Sequence, residues 1–230
     1  MSTKLVVDDH SQLQEVRIPE FEPQPAWLKI IAKIISIIFH PLFIPVYVSV
    51  FLVYIQSYFF SSLRPIEQKL LIPRFIVIYS VFPLVSVLLL KGLNFINSIQ
   101  LKTQKERIIP YVICMIYYFG HWYFLKKEQL LPPDFILFTA AIFFACIGGF
   151  LANIVMKISM HTIAAGVMIA FVILLAFSQT SDFGIYVSVA LVIAGLVCTA
   201  RLIVSDHTQP EVYAGLIVGI AAQLIAKWFS

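Results

Sequence analysis

Arg201 is followed after five residues by His207 and after three more by Glu211. A carboxylate that takes the proton-bearing nitrogen of an imidazole orients the other ring nitrogen outward as a nucleophile. Pro210 suits the first turn of a helix, and Glu211 then falls in that turn, within reach of His207. An imidazole held this way can attack phosphorus. His161, two residues after Ser159, stands where it could protonate a departing oxygen. Arg107, Lys157 and Arg201 supply cations for the equatorial oxygens of a phosphoryl transition state, and backbone amides at a helix start near His161 would add to them.

These groups are scattered along a very apolar chain. Of 230 residues, 60% are hydrophobic and only 12% charged, where a soluble domain carries roughly 45–50% and about 25%. So few charges cannot cover a soluble surface. The composition therefore predicts an all-α, polytopic integral membrane bundle of about six or seven spans. The net charge of +4 is too small a surplus to argue for nucleic acid as a partner. Cys114, Cys146 and Cys198 each lie in an apolar run, which suggests packing rather than a disulfide framework or thiolate metal site. No metal-ligand spacing occurs, and no cofactor is expected. The first residues lack the basic start, apolar stretch and cleavage site of a cleavable signal peptide.

Residues 1–25 read as a solvated tail and 26–230 as one membrane domain. Within it, 26–39 carries Lys29 and Lys33 among isoleucines, the pattern of a helix lying in the membrane interface. Spans are expected over 42–63, 75–90, 108–125, 135–156, 158–178, 183–204 and 212–229. Lys227 can snorkel out of the last of these.

Charge is costly in hydrocarbon, so the places where ionisable groups gather are informative. Lys102, Lys105, Glu106 and Arg107 follow the second expected span; Asn153, Lys157, Ser159 and His161 join the fourth and fifth; Arg201, Ser205, Asp206, His207 and Glu211 join the sixth and seventh. Two crossings separate each cluster from the next, so all three return to one membrane face. A single site rich in cations is the expectation, and a phosphate near the headgroup layer is its natural occupant. Lys157 could instead snorkel, while Lys91, Lys105 and Asp206 stay outside the first rank. His40 and His121 read as packing histidines.

These residues resemble the three motifs of the type 2 phosphatidic acid phosphatase superfamily. Ala200, Arg201, His207 and Glu211 are similar to the third motif, S-R-x5-H-x3-D, with Ala for Ser and Glu for Asp. The small residues of 212–219 resemble the start of the family's last helix. Ser159 and His161 are similar to P-S-G-H without its proline and glycine, and Lys102, Arg107 and Pro110 form a degenerate K-x6-R-P. The similarity covers 102–219.

The resemblance implies a metal-independent phosphatase acting on a lipid phosphate or polyprenyl pyrophosphate. His207 would form a phosphohistidine, Glu211 orient it, and His161 serve as acid and later as base. Lys102, Arg107, Ser159 and Arg201 would bind phosphate. It also implies a bacterial cytoplasmic membrane and a site facing outward. The balance of Lys and Arg does not decide orientation: setting the site cations aside leaves five on the site face against six on the other. Two further readings stay open, a relative that binds lipid phosphate without turnover and a transporter.

Overall fold

The computed structural model describes residues 3–7, 13–17, 24–128, 130–178, 182–204 and 207–229. Within the tail, the backbones of β1 (Thr3–Val7) and β2 (Leu13–Arg17) pair antiparallel, with Leu5 opposite Glu15. From residue 26 onward the described chain is helical, a polytopic membrane bundle.

Helix α1 (Ala26–Ile38) packs on a later helix through Ala32 and Ser36 and leaves Trp27, Ile30, Ile34 and Ile37 exposed beside its lysines. An apolar face flanked by Lys29 and Lys33 is what the headgroup boundary favours.

The first expected span, 42–63, is a broken helix rather than a continuous one. Helix α2 (Ile44–Val50) runs through a π-helical turn at Phe51–Ile55 and stops at Gln56, whose φ of −109° and ψ of 43° leave the helical region. Twelve residues at 1.5 Å each give only about 18 Å. A short 3-10 turn, Ser57–Phe60, continues the path. The segment nevertheless crosses from one end of the bundle to the other: His40 lies against His161, and Phe60 packs on Phe135 with ring centroids 5.9 Å apart. Gln56, Ser57, Ser61 and Ser62 interrupt the apolar run, and serines compete for backbone partners near helix ends.

Six helices among the described residues are long and apolar enough to span a membrane. The first, Pro65–Gly92, begins ten residues before the expected 75. Pro65 pre-sets the first turn and the Glu67 carboxylate accepts the Arg64 amide at 2.9 Å, so helix starts in what read as a charged border. It comprises α3 (Pro65–Ile76), a π-helical turn (Val77–Val81) and α4 (Phe82–Gly92). Pro83 cannot donate to the turn before it, and the wider π turn lies just there.

The other five are α5 (Gln104–Glu128), α6 (Pro133–Val155), α7 (Met160–Ser178), α8 (Gly184–Ile203) and α9 (Gln209–Trp228). Each agrees with its expected span to within four residues at either end. Helix α7 is central, packed between α6, α8 and α9. Its contact with α9 is backbone on backbone: a Cβ placed at Gly219 would meet the Ile163 carbonyl, and one at Gly166 the Leu216 carbonyl. Gly215 and Gly219, four apart on α9, thus give a small-residue seam of the kind that joins helices in lipid.

Candidate active site

The starts of α5, α7 and α9 and the ends of α6 and α8 meet at one end of the bundle, and hydrogen bonds join all three charged clusters there. Gln104 Nε2 donates to the Asn153 carbonyl at 2.7 Å, and Asn153 Nδ2 donates to the Gln104 carbonyl at 2.9 Å. Arg107 Nη1 donates to the Ile158 carbonyl at 2.7 Å. His207 Nδ1 lies 2.9 Å from the Lys157 carbonyl, and the Ser159 amide donates to the Glu211 carbonyl at 3.2 Å. The even-crossing argument therefore describes this protein correctly.

The first junction is built around Glu106. Its carboxylate accepts the backbone amides of Asn97, Ser98 and Lys102 at 2.7, 3.1 and 3.0 Å, and so folds the loop back onto the start of α5. The loop ends with Leu101 at φ 49°, a left-handed conformation uncommon for a residue with a branched side chain. That turn presents the Leu101 carbonyl to Arg107 Nε at 2.9 Å. Two carbonyls from two junctions thus hold one buried guanidinium.

At the third junction Glu211 serves twice. Its Oε2 accepts the Thr208 amide at 2.8 Å, closing the capping box of α9, and lies 3.4 Å from His207 Nδ1. A carbonyl can only accept, so the 2.9 Å contact with Lys157 puts the proton of the neutral His207 ring on Nδ1. Nε2 keeps its lone pair. The ring is 2% exposed, and burial pushes its pKa down to about 4; Glu211 opposes the fall, while Arg107, Arg201 and Lys157 add to it.

A cavity of about 250 Å3 opens at this place. Its polar end is bordered by Arg107, Arg201, His207, His161 and His40. The remainder is apolar and reaches Tyr118 and Phe138. From Arg107 to Tyr118 is eleven residues of α5, or about 16 Å of depth at 1.5 Å per residue. A cationic end continuous with an apolar shaft matches a molecule with an anionic head and a hydrocarbon tail.

Of the residues expected at the site, Arg107, His161, Arg201 and His207 line this cavity, whereas Lys102, Lys157, Ser159 and Glu211 do not. Lys102 is exposed in the loop, its backbone amide donating to the Glu106 carboxylate. Lys157 is buried beside His207 and lends it a carbonyl. Ser159 is fully buried, its hydroxyl without a hydrogen-bond partner among the described residues, and its amide and carbonyl brace the α7–α9 junction. Ser205 and Asp206 lie outside the described residues.

His161 Nε2 is 3.1 Å from the Ser36 carbonyl of α1, which fixes the proton of the neutral ring on Nε2 and leaves Nδ1 as the acceptor. Sequence reasoning missed this link and also missed His40, which borders the cavity with its ring 5.2 Å from that of His161. The basis for finding them was thin: two histidines at span starts. His121, in contrast, packs edge-on to Phe75 and Tyr79 away from the cavity, its Nε2 without a hydrogen-bond partner among the described residues.

Arg107, Lys157, Arg201, Glu106 and Glu211 are all buried at this end of the bundle. No protein-family model matches the chain, and no curated protein or solved structure matches it either.

Proposed function

We propose that the protein is a membrane phosphatase that removes phosphate from a lipid phosphate or polyprenyl pyrophosphate through a phosphohistidine on His207. The single observation that supports it most is the fixed tautomer of His207. Lys157 and Glu211 occupy Nδ1, and the ring borders a cavity shared with two arginines. In this reading the phosphoryl group sits between Arg107 and Arg201, with the hydrocarbon tail in the apolar shaft.

The Nε2 lone pair of His207 attacks phosphorus, and the bond from phosphorus to the leaving oxygen breaks. Glu211 and the Lys157 carbonyl stabilise the cationic ring that results. The proton of the neutral His161 ring lies on Nε2 against the Ser36 carbonyl, so His161 first takes up a solvent proton at Nδ1 and then delivers that proton to the departing oxygen. Water then attacks the phosphohistidine, gives its proton back to His161, and releases inorganic phosphate and neutral His207. The site would face outward across a bacterial cytoplasmic membrane.

Phosphate release from phosphatidic acid and from undecaprenyl pyrophosphate in mixed micelles tests the reading. His207→Ala should lower release by roughly 10^3-fold or more while insertion and elution stay unchanged. Alkaline detergent quench of the wild type should trap a phosphoryl protein that is stable to base and labile to acid. Release undiminished in the variant would end the mechanism.

A second reading is a lipid-phosphate binder that does not turn over. The hydrogen bond of His161 to Ser36 favours it, because that bond ties up one of the two nitrogens a proton donor needs. Binding of phosphatidic acid with no phosphate release by the wild type would select this reading.

A further inference from the structure

His40 lies in the turn between α1 and α2 and takes no part in the reaction described above. Its Nδ1 accepts the Leu42 amide at 3.3 Å. A ring nitrogen that accepts carries no proton, so the neutral imidazole has its proton on Nε2. Burial, with the Arg201 guanidinium adding to it, pushes the pKa of this ring down to about 4, so it is neutral near pH 7. Among the described residues Nε2 has no hydrogen-bond partner. The ring borders the cavity beside Arg201 and His161.

The place of the ring is tightly set. Ser36, four residues earlier on α1, holds His161 through its carbonyl, and His40 lies edge-on to that same ring with an interplanar angle of 80°. Phe43 packs on its other side with ring centroids 5.9 Å apart. The charged and titratable groups that face it are Arg201 and His161. A neutral N–H donor next to a guanidinium suits an anionic oxygen, because it adds a hydrogen bond without adding to the repulsion among buried cations.

We propose that His40 is an anion-binding residue of the cavity, donating from Nε2 to a phosphoryl oxygen of the bound lipid phosphate. The proposal rests on the reading of the cavity as a lipid-phosphate site. His40 transfers no proton, so its contribution is level across the neutral pH range.

Two substitutions separate this role from a structural one. His40→Asn keeps an acceptor where Nδ1 meets the Leu42 amide but is too short to reach the Nε2 position. His40→Gln puts an amide N–H at the Nε2 position and gives up the acceptor. Orthovanadate and dioctanoyl phosphatidic acid are titrated against the full chain in nanodiscs. His40→Asn should weaken both by about tenfold or more, since a hydrogen bond to a charged partner is lost. His40→Gln should stay within about threefold of wild type.

Wild-type affinity in His40→Asn, or rescue by Asn and not by Gln, overturns the proposal. Equal losses for both probes place the contact on the phosphoryl group; a loss confined to the lipid places it elsewhere and overturns the proposal too. Should a variant fail to fold, nitrogen-15 shifts of His40 in the wild type decide: Nε2 must move when orthovanadate binds, and an unmoved signal sinks the idea. The catalytic reading is tested separately by His207→Ala. Release that survives in that variant, together with weaker vanadate binding in His40→Asn, removes the nucleophile and leaves the anion donor standing.

Discussion

Gln104 and Asn153, 49 positions apart, exchange hydrogen bonds in both directions, each side-chain amide donating to the other's backbone carbonyl at 2.7 and 2.9 Å. Both residues are buried, and the exchange fastens the first turn of α5 to the last turn of α6. This ring of two bonds sets the height of Arg107, one turn along α5, against the α6–α7 junction whose Ile158 carbonyl it grips.

A buried amide that loses its partner keeps its desolvation penalty. Gln104→Ala and Asn153→Ala should each lower stability by about 1–3 kcal/mol. The double variant should lose less than the sum, with a coupling of roughly 0.5–3 kcal/mol. Thermal unfolding in detergent gives all three values. Additive losses would mean that the two amides act independently.

The seam between α7 and α9 fixes the distance from Lys157 to His207, since each helix starts from one of those junctions. Gly219→Val should push Cβ against the Ile163 carbonyl, cost about 1–3 kcal/mol and lower phosphate release although Gly219 itself does not line the cavity. Gly195, on α8, has nothing within 4 Å of an added Cβ, so Gly195→Ala is the matched control and should leave both unchanged. Full release in a stably folded Gly219→Val protein would show that the site tolerates a shift of α9.

Much of this arrangement can be read from residue types, because the membrane makes charge informative. Arg107, Lys157, Arg201 and Glu211 fall at helix ends separated by even numbers of crossings, and cost alone forbids them elsewhere. The spacing from His207 to Glu211 likewise encodes a real contact. The parts that could not be read are those made by backbone atoms. Ser36 serves His161 through its carbonyl, and Lys157 serves His207 through its carbonyl, so neither side chain advertises the bond. Lys102 misled for the converse reason: its charge is conspicuous, but its amide is what Glu106 holds, and its side chain points to solvent. The broken first span escaped notice because Gln56 and Ser57, where the helix stops, sit inside a run still apolar enough overall to pass as one span.

The double duty of Glu211 gives the sharpest test of the site's chemistry. Glu211→Gln retains an oxygen to accept the Thr208 amide, so the start of α9 should survive, while the negative charge 3.4 Å from His207 Nδ1 disappears. The carboxylate raises the pKa of His207, so its removal should move that pKa further down from about 4. At pH 7 the ring is neutral in both proteins, and the supply of nucleophile is the same. What changes is the cationic ring formed on attack, which loses its counter-charge. Phosphate release should therefore fall roughly 10^2-fold or more at unchanged substrate affinity, a loss in kcat rather than KM. Nitrogen-15 spectra of the wild type should show His207 as the Nδ1–H tautomer from pH 8 to pH 5. The native ring resists protonation while an unfolded one, with a pKa near 6.5, accepts it, so stability should be greatest above pH 6.5 and decline as pH falls toward 4. A His207 ring that titrates near 6.5, or sits as the Nε2–H tautomer at neutral pH, would contradict the orientation on which the nucleophile depends.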